Sequence, residues 1–231
     1  MTSKVAGQPL TNSMGGPNGC NNLALNPGYA VDDILAFVAS KGMAVPKVNL
    51  KRPRIMAKEV LTSDEAVNRA FGLGVDSTNR GDVMLELLPH VSGGGIERIN
   101  FIKEVWSSID DMHHLRGELA FRLSGLALDG VDFRKTLNES EHEWFEGLGN
   151  TFKVYRGCSE DRLDGLSWTT DREVAMGFAG GHRGIEVVAP VLVSATCDKV
   201  DVLLAVNDRE EFEIVVEPEH LTDVWVEPVK R

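Results

Sequence analysis

The sequence predicts an α+β chain with its helices first, on three observations. Apolar residues recur at helical spacing between about Thr62 and Leu128, and beyond residue 150 the apolar runs shorten to strand length. Charge divides at the same place. Residues 139–231 hold 20 Asp/Glu against 9 Lys/Arg, a net of −11, whereas residues 1–138 hold 15 of each. With 231 residues and a hydrophobic fraction of 42% the chain can bury a substantial core. The acidic second part disfavours broad binding to phosphate backbones.

Residues 1–30 are rich in Gly, Asn and Pro and read as an arm with little apolar surface to bury. Asp32 to Ser40 suits a short helix, and Lys47 to Lys58 gathers five basic residues around Pro53 into a connector. Docking on the protein's own acidic part is the expected use of that connector, ahead of nucleic acid. Helices are expected near 63–71, 82–90, 96–109 and 112–128, separated by turn-prone DSTNRGD and VSGGG, with a further one at 139–147. In the third, Ile96, Ile99, Phe101, Ile102, Val105, Trp106 and Ile109 form an apolar stripe that must pack on something. Strands are expected at 153–157, 166–170, 185–196, 199–206, 211–216 and 223–228. A helix should interrupt them after Thr170, whose spacing from Glu173 is that of a capping box. The division expected is an arm and connector over 1–60, a helical region over 61–138 and a C-terminal domain over 139–231.

Three features of that C-terminal part carry chemistry. Glu211 and Glu213 lie two apart in an alternating run, so an extended strand would put both carboxylates on the face of Val215, with Phe212, Ile214 and Val216 opposite. A fixed carboxylate of this kind stabilises positive charge developing on a sugar, although an edge strand with solvated carboxylates gives the same spacing. Arg156 ends the run KVYR and is followed by Gly157, which permits close backbone approach to a ligand, and a guanidinium suits a pyrophosphate. Ser167 and Thr169 share one face, opposite Leu166 and Trp168.

Taken in order, Arg156–Gly157, Ser167–Trp168–Thr169 and Glu211–Phe212–Glu213 resemble the arginine–serine–glutamate class of mono-ADP-ribosyltransferases, and most closely its small bacterial and phage domains. The resemblance covers roughly residues 139–228. It implies an ADP-ribosyltransferase-like, mainly antiparallel sheet and an enzyme that consumes NAD as substrate without a metal. By the resemblance, Arg156 holds the pyrophosphate, the Gly157 backbone holds the nicotinamide amide, and Ser167 supports both the ribose and Glu213. Glu213 is then the catalytic carboxylate and Glu211 faces the acceptor. Thr169 shapes the site; Trp168 and Phe178 stand either in the core or at the nicotinamide. Glu-x-Glu leans towards protein arginine as acceptor. Water as acceptor would make the chain an NAD glycohydrolase, and loss of activity would leave an interaction module on the same fold.

Other constellations are weaker. His113 and His114 are adjacent and diverge on a helix, His142 has no spaced partner, and the glycines at 93–95 lack a following Lys-Ser/Thr, so neither a metal site nor a phosphate loop is expected. A Cys158–His182 nucleophile pair has no activating surroundings in the sequence. Cys20, Cys158 and Cys197 are an odd, scattered set without a CxxC. No stretch approaches the roughly 20 apolar residues of a membrane span. The cysteines fit a reducing cytoplasm with no membrane partner, and the resemblance implies that of a bacterium or a phage-infected host cell.

Overall fold

The computed structural model describes residues 59–181 and 187–230. The expected arm, the short helix from Asp32 and the basic connector lie outside the described residues. Within them the architecture is α+β: helices in the N-terminal part, then a six-stranded antiparallel sheet.

Helix α1 (Ser63–Ala70) starts at a reciprocal cap, where Thr62 Oγ1 accepts from Glu65 N at 3.2 Å and the Glu65 carboxylate accepts from Thr62 N at 2.8 Å. Helix α2 (Arg80–Leu87) tightens into a 3-10 turn at Leu88–His90, where Pro89 cannot supply the next N–H. Gly93 and Gly94 turn the chain with φ of 88° and 96°, a left-handed stretch that a side chain would strain. They launch α3 (Gly95–Trp106), whose expected stripe buries Ile99, Phe101, Ile102, Val105 and Trp106. The helix stops short of the expected residue 109. A 3-10 turn at His113–Leu115 leads into α4 (Arg116–Leu128), and α5 (Glu139–Gly147) opens on a capping box between Asn138 and Glu141. Glu141 is 3% exposed, bonded to Lys103 Nζ and to the backbone N–H of Asn207 at 3.2 Å, which ties α3, α5 and the end of the fourth strand together.

The strands are β1 (Thr151–Ser159), β2 (Ser167–Thr169), β3 (Pro190–Asp198), β4 (Leu204–Val206), β5 (Glu213–Val215) and β6 (Thr222–Pro228), with α6 (Arg172–Ala179) between β2 and β3. Their order across the sheet is β4-β5-β2-β1-β3-β6, and every neighbouring pair is antiparallel. The run expected at 199–206 divides into a 3-10 turn at Lys199–Asp201 and the short β4. The cap of α6 also differs from expectation. Asp171, not Thr170, is the N-cap, and its carboxylate accepts from the N–H of Glu173 at 2.8 Å.

Two apolar cores face each other through the sheet. Leu204, Val206 and Val215 join helices α1 to α4 in one, while Ala205, Ile214 and Val216 join Trp168, Val154 and Phe145 in the other. Strands β4 and β5 are thus buried on both faces, and alternation decides which core each side chain enters. Leu166 departs from the expected pattern: it precedes β2 and packs with the helical core, not on Trp168's side. Strands β1 and β2 meet at one registered pair, Tyr155 with Thr169, whereas β1 and β3 pair over nine residues. The seam between β1 and β2 is where the candidate site lies. No helix among the described residues is long and apolar enough to cross a membrane.

Candidate active site

Arg156 projects from the middle of β1, not from a strand end, and is half-buried. Its Nη1 donates to Ser167 O at 2.7 Å, across the seam, and its Nε donates to Arg162 O at 3.3 Å. Burial pulls its pKa down, against the opposing pull of Cys158, Glu213 and Asp164. The guanidinium makes no ion pair with a carboxylate of the described residues. Gly165 lies directly behind it, and a Cβ there would fall 2.1 Å from Nη2.

Gly157 admits a close neighbour that the sequence does not name, helix α6. A Cβ at this position would sit 1.8 Å from Ala175 O and 2.5 Å from Ala179 N, so the missing side chain makes room for α6 against β1. The glycine still lines the cavity. Its next neighbour Cys158 is buried, and burial pushes its thiol up, away from the thiolate a nucleophile needs. His182, its suggested partner, lies outside the described residues.

Strand β2 bonds to both glutamates. Ser167 Oγ donates to Glu213 Oε1, while Thr169 Oγ1 donates to Glu211 O at 2.6 Å and accepts from Asp171 N at 3.0 Å. One hydroxyl therefore holds a carboxylate; the other holds a backbone and the start of α6. Trp168 is 3% exposed in the second core, with Nε1 donating to Gly165 O at 3.0 Å, and it also lines the cavity. Phe178 belongs to neither core and stands half-buried on that wall.

Glu213 opens β5 and is 9% exposed, on the Val215 side as alternation predicts. Trp106, at the end of α3, donates its indole Nε1 to the same Oε1 at 2.7 Å. Burial raises the carboxyl above a glutamate's ordinary pKa, and the nearby Glu211 charge adds to that; Ser167, Trp106 and Arg156 act the other way. Glu211 does not share the strand. It has a helical backbone, φ −84° and ψ −11°, in a turn where Arg209, Glu210 and Phe212 all have positive φ, from 48° to 62°. Three left-handed non-glycine residues store strain of roughly 1–3 kcal/mol each. The turn is held by Arg209 bonding to Ser107 O, by Phe212 N donating to Asn207 Oδ1 at 3.0 Å, and by the Phe212 ring lying 5.7 Å from Trp144. Glu211 reaches the cavity through this turn and not through alternation.

The cavity has a volume of about 490 Å³, within the range usual for small-molecule sites. Arg156, Gly157, Ser167, Trp168, Thr169, Phe178, Glu211 and Glu213 all line it, so the residues singled out in the sequence meet in one place. No family model matches the chain, and no curated protein or solved structure does. The site's own geometry therefore carries the functional argument.

The helical layer supplies residues that carry no functional signal in the sequence. Besides Trp106, it ties down the loop behind Arg156: Asp111 pairs with Arg162 at 3.1 Å, and Asp164 with His113 Nε2 at 2.8 Å and Arg116 at 2.7 Å. The hydrogen bond from His113 holds the Asp164 carboxyl below its usual range. Trp106 stood in the sequence as one member of an apolar stripe, and only the three-dimensional pairing reveals the use of its N–H.

Proposed function

We propose that the chain is a mono-ADP-ribosyltransferase that cleaves NAD and transfers ADP-ribose to a macromolecular acceptor. The observation that carries this reading is the pairing of a desolvated guanidinium, bonded to backbone carbonyls, with a buried, hydroxyl-held carboxylate in one cavity. A half-buried guanidinium that makes no ion pair among the described residues suits a phosphate, and a fixed anion suits a ribose acquiring positive charge.

In this reading the NAD pyrophosphate lies at the remaining N–H groups of Arg156, with the nicotinamide near Gly157 and Phe178. Ser167 and Glu213 hold the nicotinamide ribose. The C1′–N bond breaks, its electron pair leaves with neutral nicotinamide, and the cationic ribose is stabilised by Glu213. Glu211 takes the proton of the attacking acceptor. Protein arginine is the acceptor favoured by the Glu-x-Glu pair, and the bacterial or phage-infected cytoplasm is the setting. Thr169 serves the site through the Glu211 backbone, and Trp168 through the wall.

The test is incubation of the purified chain with NAD and cell lysate. Nicotinamide release with label retained on protease-sensitive material is the expected result. Free ADP-ribose with no macromolecular label would instead mark a glycohydrolase, and no nicotinamide release with any acceptor would leave an interaction module. Gly165→Ala probes the arginine separately. The three atoms nearest its Cβ all belong to the flexible guanidinium, so the melting temperature should fall by no more than the bonds of Arg156 to Ser167 O and Arg162 O are worth, while KM for NAD rises by about tenfold, the loss of one charged hydrogen bond. An unchanged KM would remove Arg156 from NAD binding.

A further inference from the structure

We infer that Trp106 is a positioning residue for Glu213, so that the helical layer sets the orientation and ionisation of the catalytic carboxylate; this rests on the proposed function. The indole is 1% exposed and its Nε1 lies 2.7 Å from Glu213 Oε1, the oxygen that also accepts from Ser167 Oγ. Two donors from different layers of the fold converge on one oxygen. Rotation of the carboxylate would break both bonds, so Oε2 is the oxygen presented to the ribose hydroxyls.

The indole is a donor only, with no acceptor capacity. It therefore favours the ionised carboxylate, opposing the burial that raises Glu213. Other charged and titratable groups line the cavity: Arg156 and Cys158 from β1, Asp161 and Arg162 from the turn after it, Glu211 and Arg209 from the turn before β5, Asp110, Asp111 and His113 from the segment after α3, and Arg116 from α4. Trp106 contributes a neutral donor at fixed distance among them. Its own place is set by the stripe of α3, in the core with Phe101, Ile102 and Val105. A hydrophobic helix thus holds one polar atom against the reacting centre.

Trp106→Phe removes the N–H and keeps an aromatic ring in the core. The expected result is a fall of about tenfold in kcat for nicotinamide release with KM little changed, and an acid limb of the pH–rate profile moved to higher pH. In a Glu213→Gln background the same substitution should cost nothing further, because its effect runs through the carboxylate. An equal fall in both backgrounds with an unmoved acid limb would overturn the inference. A second readout does not need activity. The indole N–H resonance missing from Trp106→Phe should shift with pH in the wild type and hold still in Glu213→Gln; a resonance that ignores pH in both would also overturn it. A wild type without nicotinamide release, but with this titrating indole, would sink the proposed enzyme and leave the pairing intact.

Discussion

Glu213→Gln should lower nicotinamide release from NAD by at least about a hundredfold without lowering the melting temperature at neutral pH. The amide oxygen still accepts from Ser167 Oγ and Trp106 Nε1, so the site keeps its shape while losing its charge. Stability follows from the direction of the shift. Glu213 is raised when folded, so the folded state holds its proton more tightly. That favourable contribution is complete below the unfolded-state pKa and is lost as pH rises through the folded pKa. At neutral pH the buried carboxylate therefore opposes folding, and a neutral amide relieves it. The measurements are a nicotinamide-release rate and a thermal melt on the same sample. A mutant that retains most of its rate would remove Glu213 from the chemistry, and one that fails to fold would show that its charge is structural.

Gly157→Ala should act in the opposite way, through the fold. Its Cβ would fall 1.8 Å from Ala175 O and 2.9 Å from Ala175 C, with Ala179 N at 2.5 Å, so the obstruction is backbone that cannot swing aside. Helix α6 must move off β1, carrying the Phe178 wall with it. Such overpacking costs about 3 kcal/mol. In a chain of this size that lowers the melting temperature by roughly 6–12 °C. Thermal unfolding followed by circular dichroism checks it. A melting temperature within a degree of wild type would mean that α6 does not rest on this glycine.

Helix α3 and its buried stripe were legible in the sequence because one face of a helix must repeat every three to four residues, and the same logic placed Ile214 and Val216 opposite Glu213. The meeting of Arg156, Ser167 and Glu213 in one cavity was legible from their order along the chain. What misled was local backbone. Glu211 reads as strand from its spacing, yet three left-handed residues around it are set by contacts to Ser107, Asn207 and Trp144 that lie elsewhere in the sequence. The packing role of Gly157 was hidden for a similar reason. A glycine signals that something approaches closely, and only the fold says that it is α6. The indole N–H of Trp106 and the bare backbone of Gly165 carry no functional signal in the sequence, because each residue looks ordinary among its neighbours.

The hydrogen bond between Trp106 and Glu213 joins residues 107 positions apart, and the bonds from Ser167 to Glu213 and from Thr169 to Glu211 span 46 and 42. Contacts of such span close late in folding, after the loops between them have lost their freedom. During synthesis from the N-terminus, α3 leaves the ribosome long before the strand that completes its polar contact. Nascent or truncated chains that stop short of β5 would lack both the Glu213 carboxylate and Val215, which closes the helical core, so the site and the core beneath it are completed only when nearly the whole chain has been made.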